Sequence, residues 1–165
     1  MKVTEPNLSS RIVGSPKMGS TKNLLGTPRQ TDTGLLALRV AISCFMLVHG
    51  MDKILTFNER ADTFADPIGM GSQLSLIMAI GAEVGCSVLL ILGLGTRLAA
   101  IPLAFTMIVA LFIVHADDPW RVKELAAIYL SMYLVIFIAG PGRFSLDRWL
   151  ASKRSAEING ADGGI

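Results

Sequence analysis

Four runs of apolar residues, about 35–57, 73–94, 98–115 and 122–139, are separated by short polar stretches and flanked by polar ends. A helix rises about 1.5 Å per residue, so each run is long enough to cross a hydrocarbon core about 30 Å thick. The third run separates a membrane bundle from a soluble one. Thr106 is its only polar side chain before His115, whereas a surface helix of a soluble bundle needs a polar face. Gly93, Gly95 and Thr96-Arg97 predict a tight turn, because glycine accepts positive φ, and they make runs two and three antiparallel neighbours. Pro102 is expected in the first turn of run three, where a missing donor costs little, and Gly140-Pro141-Gly142 ends run four. The expected fold class is all-α, a membrane-embedded four-helix transmembrane bundle with disordered N- and C-terminal tails. Residues 34–150 form the membrane domain, 1–33 a disordered basic cytosolic tail and 151–165 a disordered C-terminal tail.

Composition agrees with this pattern. The 165 residues are 52% hydrophobic and only 17% charged, with a mean hydropathy of +0.54, far more apolar than a soluble domain. Fifteen Lys and Arg against thirteen Asp and Glu leave a formal charge of +2, too balanced to point to nucleic acid. Placement says more than the sum. Lys2, Arg11, Lys17, Lys22, Arg29, Arg97, Arg143, Arg148, Lys153 and Arg154 fall at one end of the bundle; Lys53, Arg60, Arg121 and Lys123 fall at the other. Positive charge stays on the cytoplasmic side, so both termini are expected there. Phe144, Leu146, Trp149 and Leu150 can then rest on the membrane surface. Cys44 and Cys86 lie inside apolar runs and are expected to act as small buried hydrophobes. Neither disulfide nor metal-ligand spacing is present.

The chemistry lies in the charges that interrupt the spans. Run one carries Arg39 near its start and His49, Asp52 and Lys53 near its end; Glu83 sits in the middle of run two; His115 follows run three and Glu124 opens run four. A charge at the centre of a bilayer costs about 2.5–3.5 kcal/mol even on lenient scales, so these groups must face protein or water. His49 and Lys53, spaced i and i+4, share a face. His49, Lys53, His115 and Glu124 are expected in the outer half of the bilayer, with Glu83 near its midplane. Two readings stay open. The five residues form a pocket open to the outer side, able to take a small polar ligand or quinone headgroup or to relay protons. Alternatively they form a structural network, Glu83 pairing with His49 or Lys53 and Glu124 with His115. Gly81 and Gly85, on the face opposite Glu83, suit a close helix contact or a homodimer interface.

His49-Gly50-Met51-Asp52-Lys53, Glu83, the hairpin Leu92-Gly93-Leu94-Gly95-Thr96-Arg97-Leu98-Ala99-Ala100, His115, Glu124 and Gly140-Pro141-Gly142-Arg143-Phe144-Ser145-Leu146-Asp147 together resemble the DoxX family of small membrane proteins. The resemblance covers about residues 35–150. It implies a multi-pass protein of a bacterial inner membrane. A related branch, DoxD, is associated with thiosulfate:quinone oxidoreductase, and some DoxX-like proteins are linked to redox complexes and thiol homeostasis. The leading expectation is thus a subunit or accessory of a membrane redox system, with an oxidoreductase partner. No haem, flavin or iron–sulfur motif is present, so an electron carrier would be quinone or belong to the partner. A small proton-coupled carrier and a non-catalytic scaffold are the alternatives.

Overall fold

The computed structural model describes residues 28–162, with side chains described from 28 to 157. The helices are α1 (Pro28–Leu55), α2 (Phe57–Arg60), α3 (Ser72–Leu92), α4 (Thr96–Val114), α5 (Trp120–Ala139) and α6 (Leu146–Asp162). α1, α3, α4 and α5 are 28, 21, 19 and 20 residues long and apolar enough to span a membrane. They pack as a square in chain order: α1 touches α3 and α5, α4 touches α3 and α5, and α1 and α4 lie across the diagonal. Ile42, Met46, Leu90, Ala100, Leu103, Tyr133 and Ile136 fill the centre. Val48, Leu98, Phe112 and Ile138 point outward, as they should in a protein whose solvent is lipid.

Several boundaries differ from the sequence expectation. Residues 28–33, assigned to the tail, are the first turns of α1. Pro28 starts the helix, where its missing N–H is harmless, and the Thr33 hydroxyl donates to the Arg29 carbonyl at 2.9 Å. The expectation for residues 1–27 and 163–165 lies outside the described residues. Residues 151–162, also assigned to a tail, continue α6; Ala151, Lys153, Arg154, Ala156 and Glu157 are ordinary helix formers uninterrupted by proline. Pro102 lies inside α4 rather than in its first turn, because the helix starts directly after Gly95. Cys44 is exposed on the lipid face and Cys86 only partly covered, so the first is not a core residue. Gly81 and Gly85 are exposed, with nothing within 4 Å of where a Cβ would stand, so they make no close helix contact within the chain.

The end of the bundle that carries the termini is closed by one buried cation. Arg39 is 1% exposed. Its Nη1 donates to the Pro141 carbonyl and its Nη2 to the Phe144 carbonyl at 2.8 Å. The α3–α4 hairpin turns through Gly93 and Gly95, with φ of 68° and 57°. A side chain at Gly93 would meet Ser145 and Arg39 within 3 Å, so only glycine fits beneath the guanidinium. Asp147, at the start of α6, accepts the N–H groups of Gly95 at 2.7 Å and Thr96 at 3.0 Å, and its own N–H donates to the Gly93 carbonyl at 3.0 Å. Partial burial pushes the Asp147 carboxyl up, but these N–H groups and the Arg39 charge outweigh it and hold it below the usual carboxylate range. Asp32 on α1 adds a further tie, accepting the Arg143 N–H at 2.9 Å.

Asp147→Asn removes the charge from two hydrogen bonds and from the field at Arg39. It is expected to cost about 1.5–3 kcal/mol, read as a lower melting temperature of detergent-solubilised protein. The pH dependence has a definite sign. A carboxyl with a depressed folded pKa stabilises the fold above its unfolded value, about 4, and that stabilisation is lost as pH falls through the folded value. The melting temperature of the wild type should therefore be insensitive to Asp147 between about pH 7 and 5 and fall below about pH 4. Asp147→Asn should flatten part of that acid limb, and an unchanged limb would remove Asp147 from the account.

Candidate functional site

At the opposite end the helices enclose space rather than fill it. α1 brings His49 and Lys53 to this end one turn apart, with Gly50 between them. Gly50 is what lets α3 approach: a Cβ there would stand 2.6 Å from Val84 Cγ2 and 3.2 Å from Glu83 Cβ. On α3 the facing segment Gly81–Cys86 is π-helical, and within it Ala82 and Glu83 are buried. Wider turns of this kind are frequent at functional sites. Lys53 Nζ and Glu83 Oε2 meet at 2.7 Å, with side chains 17% and 5% exposed. At that depth neither charge has bulk water as an alternative, so each depends on the other.

Beside this pair lies a cavity of about 390 Å³, within the roughly 300–1,000 Å³ typical of small-molecule sites. α1 contributes Met46, His49 and Lys53, α3 contributes Ser75, Ala79 and Glu83, α4 contributes Phe105, Thr106 and Val109, and α5 contributes Leu125, Ala126 and Tyr129. The second π-helical segment, Ala110–Val114, ends at His115; Ala110, Val114 and His115 line the same space. The His49 ring stands edge-on to Tyr129, with centroids 5.9 Å apart and planes at 87°. Tyr129 in turn lies 6.3 Å from Tyr133. Tyr133 is fully buried, and its hydroxyl has no hydrogen-bond partner among the described residues.

A loop roofs the cavity, and one carboxylate shapes it. Asp66 accepts the N–H groups of Met70 at 2.9 Å and Gly71 at 2.7 Å and the Ser75 hydroxyl at 2.8 Å. The Gly71 and Ser75 bonds, followed by the Met70 N–H, hold its carboxyl below the usual range. The fold this imposes sets Phe64, Pro67, Ile68 and Met70 against the cavity. Arg60, also lining it, is tied to Asp52 at 2.9 Å.

Of the five residues singled out in the sequence, four line one space: His49, Lys53, Glu83 and His115. Of the partners weighed for Glu83, Lys53 is the one bonded. His115 bonds Asp118 through Nδ1 at 2.7 Å and not Glu124. Glu124 is exposed and outside the cavity, because the buried face of α5 runs through Ala126, Tyr129, Tyr133 and Ile136. Glu124 stands two residues before Ala126, about 200° around the helix. Tyr129, Ser75 and Gly50 were not singled out, although the only two tyrosines of the chain stand at i and i+4 in an otherwise apolar run. Among the described residues no cluster of three or more His, Cys, Asp and Glu could hold a metal ion.

Comparison with known proteins agrees with this architecture. The DoxX family model matches residues 34–116. An uncharacterized membrane protein of Mycobacterium tuberculosis is 30% identical over 137 residues, 74% of this chain and 84% of that protein. An uncharacterized protein of Haemophilus influenzae is 32% identical over 127 residues, 68% of this chain and 87% of its own length. The Escherichia coli inner membrane protein YphA is 28% identical over 127 residues, covering 69% and 88%. No solved structure matches the chain. With its four spanning helices and a family match over half its length, the chain belongs to the DoxX family of integral membrane proteins.

Proposed function

We propose that this DoxX-family protein binds a quinone headgroup in the cavity beside Lys53 and Glu83 and serves a membrane redox system, as a subunit of or accessory to an oxidoreductase. The observation that carries this reading is a buried ion pair set into one wall of an otherwise largely apolar cavity. A pair needed only for cohesion has no reason to border open space, whereas a ligand site needs a few polar groups among apolar walls. The residues fit a quinone. Its two carbonyl oxygens need hydrogen-bond donors, and Lys53, His49 and Tyr129 can supply them. Its ring needs apolar walls, and Phe64, Met46 and Ala126 can supply those. When bound, the quinone supplies the electron chemistry. The chain's part is to orient the ring, shield it from water and donate hydrogen bonds to its oxygens from Lys53, His49 and Tyr129.

The distribution of basic residues and the name of the Escherichia coli relative support an inner-membrane protein with both termini cytoplasmic. The cavity then lies in the outer half of the bilayer. Fusing a fluorescent protein that matures only in the cytoplasm to the C-terminus should give fluorescent cells, while a periplasm-dependent alkaline phosphatase at the same position should be inactive. The reverse pattern would invert the topology.

Binding is tested by titrating a short-chain benzoquinone into purified protein. His49→Ala removes a donor and Glu83→Gln takes the charge partner from Lys53; compared with wild type at matched thermal stability, each should weaken binding about tenfold, the scale of one hydrogen bond. If the wild type binds no quinone and the variants only melt sooner, the ion pair is structural and the reading fails.

A further inference from the structure

The cavity wall is incomplete between α3 and α4. From Gly81 to Leu92, α3 packs along α4, but its first half, Ser72–Ile80, packs against α1 and α2 instead. The two helices part at the π-helical segment that carries Glu83. Ala79 on α3 and Phe105 and Val109 on α4 flank the resulting cleft, with Ile68 above it, and all four line the cavity. Ile68 and Phe105 are 57% and 46% exposed. None of the four carries a charge or a side-chain hydrogen-bonding group.

The depth of this cleft determines what lies outside it. Ala79 is seven residues from the start of α3 and Phe105 nine residues from the end of α4, placing both on the order of 10–13 Å below the helix ends at about 1.5 Å per residue. At that depth a spanning helix faces acyl chains, not water. The polar groups have the opposite distribution: Lys53, Glu83 and His49 stand inside, on the α1 and α3 walls. A ligand that satisfies both surfaces has a polar head and an apolar tail, and it reaches the site from the bilayer.

We infer that the cleft between α3 and α4 is a lateral portal, in which the prenyl tail of a quinone lies across Ala79, Phe105 and Val109 while its ring occupies the cavity beside Lys53 and Glu83. The tail's identity rests on the quinone reading above; the portal itself rests on the parting of the two helices. The polar lining at the loop end, Arg60 and His115, is tied to Asp52 and Asp118, whereas the lateral face presents four apolar side chains to lipid.

Two measurements on full-length protein in lipid nanodiscs test the portal and the ligand separately. In a Cys44→Ala, Cys86→Ala background, Ala79→Cys is labelled with a nitroxide, and its relaxation by oxygen, which concentrates in lipid, is compared with relaxation by a water-soluble nickel chelate. Oxygen is expected to dominate. Dominance of nickel would mean an aqueous mouth, and weak relaxation by both a sealed wall; either overturns the portal. Binding of a decyl-tailed benzoquinone and of the same ring without a tail is then measured in wild type and in Val109→Trp, which fills the cleft. The variant is expected to weaken binding of the tailed quinone about tenfold more than binding of the tail-less ring. Equal effects on both would overturn the placement of the tail. If the wild type binds neither quinone, the ligand reading fails while the nitroxide comparison still decides the portal.

Discussion

Inside a bilayer the spanning helices gain nothing by hiding apolar side chains from one another, because lipid tails are equally apolar. Their register must come from close approach and from groups that lipid cannot satisfy. α1 carries two such cations on one side, Arg39 toward the termini and Lys53 toward the other end, 14 residues and about 21 Å apart along the helix. Arg39 draws in the chain after α5 through the Pro141 and Phe144 carbonyls. Lys53 draws in the middle of α3 through Glu83. α4 carries only Arg97, at its first turn, which donates to the Ile138 carbonyl of α5 at 3.2 Å, and is otherwise held by packing, most extensively against α5. The geometry of the whole bundle follows from where α1 places its two charges.

The two ends are consequently unequal. Near the termini, Arg39, Asp147, Asp32 and two left-handed glycines knit together three separate stretches of chain, the start of α1, the α3–α4 hairpin and residues 140–147. At the other end, apart from Lys53–Glu83 within the α1–α3 pair, the ties are local: Asp66 to Met70, Gly71 and Ser75, His115 to Asp118, and Lys123 to the Ala116 carbonyl. None of these latter bonds crosses from one hairpin to the other, so this end can hold a cavity and yield around a guest while the opposite end keeps the register.

How much of this could be read in advance depended on the physical signal at each residue. The spans were legible because hydropathy is a property of a run and tolerates errors of a few residues at each end. The Lys53–Glu83 pair was legible as an alternative because two unlike charges in hydrocarbon have few other ways to exist. Rotation about the helix axis was not legible in α5, where apolar residues on every side leave no polar face to set the phase. That is why the sequence pattern groups Glu124 with the cavity residues and does not mark Tyr129. The segment from Gly140 to Asp147 was recognisable as a motif, yet nothing along the chain announces that its carbonyls serve a guanidinium more than a hundred residues earlier. Pairing across that separation belongs to the folded molecule alone.

The π-helical turns connect the structural ends to the chemical one. A regular α-helix keeps a constant phase, so an α3 that stayed packed on α4 along its full length would leave no room beside Lys53. One wider turn at Gly81–Cys86 shifts the phase of everything before it, freeing Ser72–Ile80 to lean on α1 and α2 while Glu83 still points inward. A second π-helical segment, Ala110–Val114, ends α4 while still packed on α5. Glycine at 81 and 85 makes the first deviation inexpensive, since neither position has a side chain to crowd the widened turn. These glycines are exposed, and among the described residues nothing stands within 4 Å of where their Cβ atoms would be, so their use within this fold lies in the backbone they permit: a break in helical phase beside the buried Glu83.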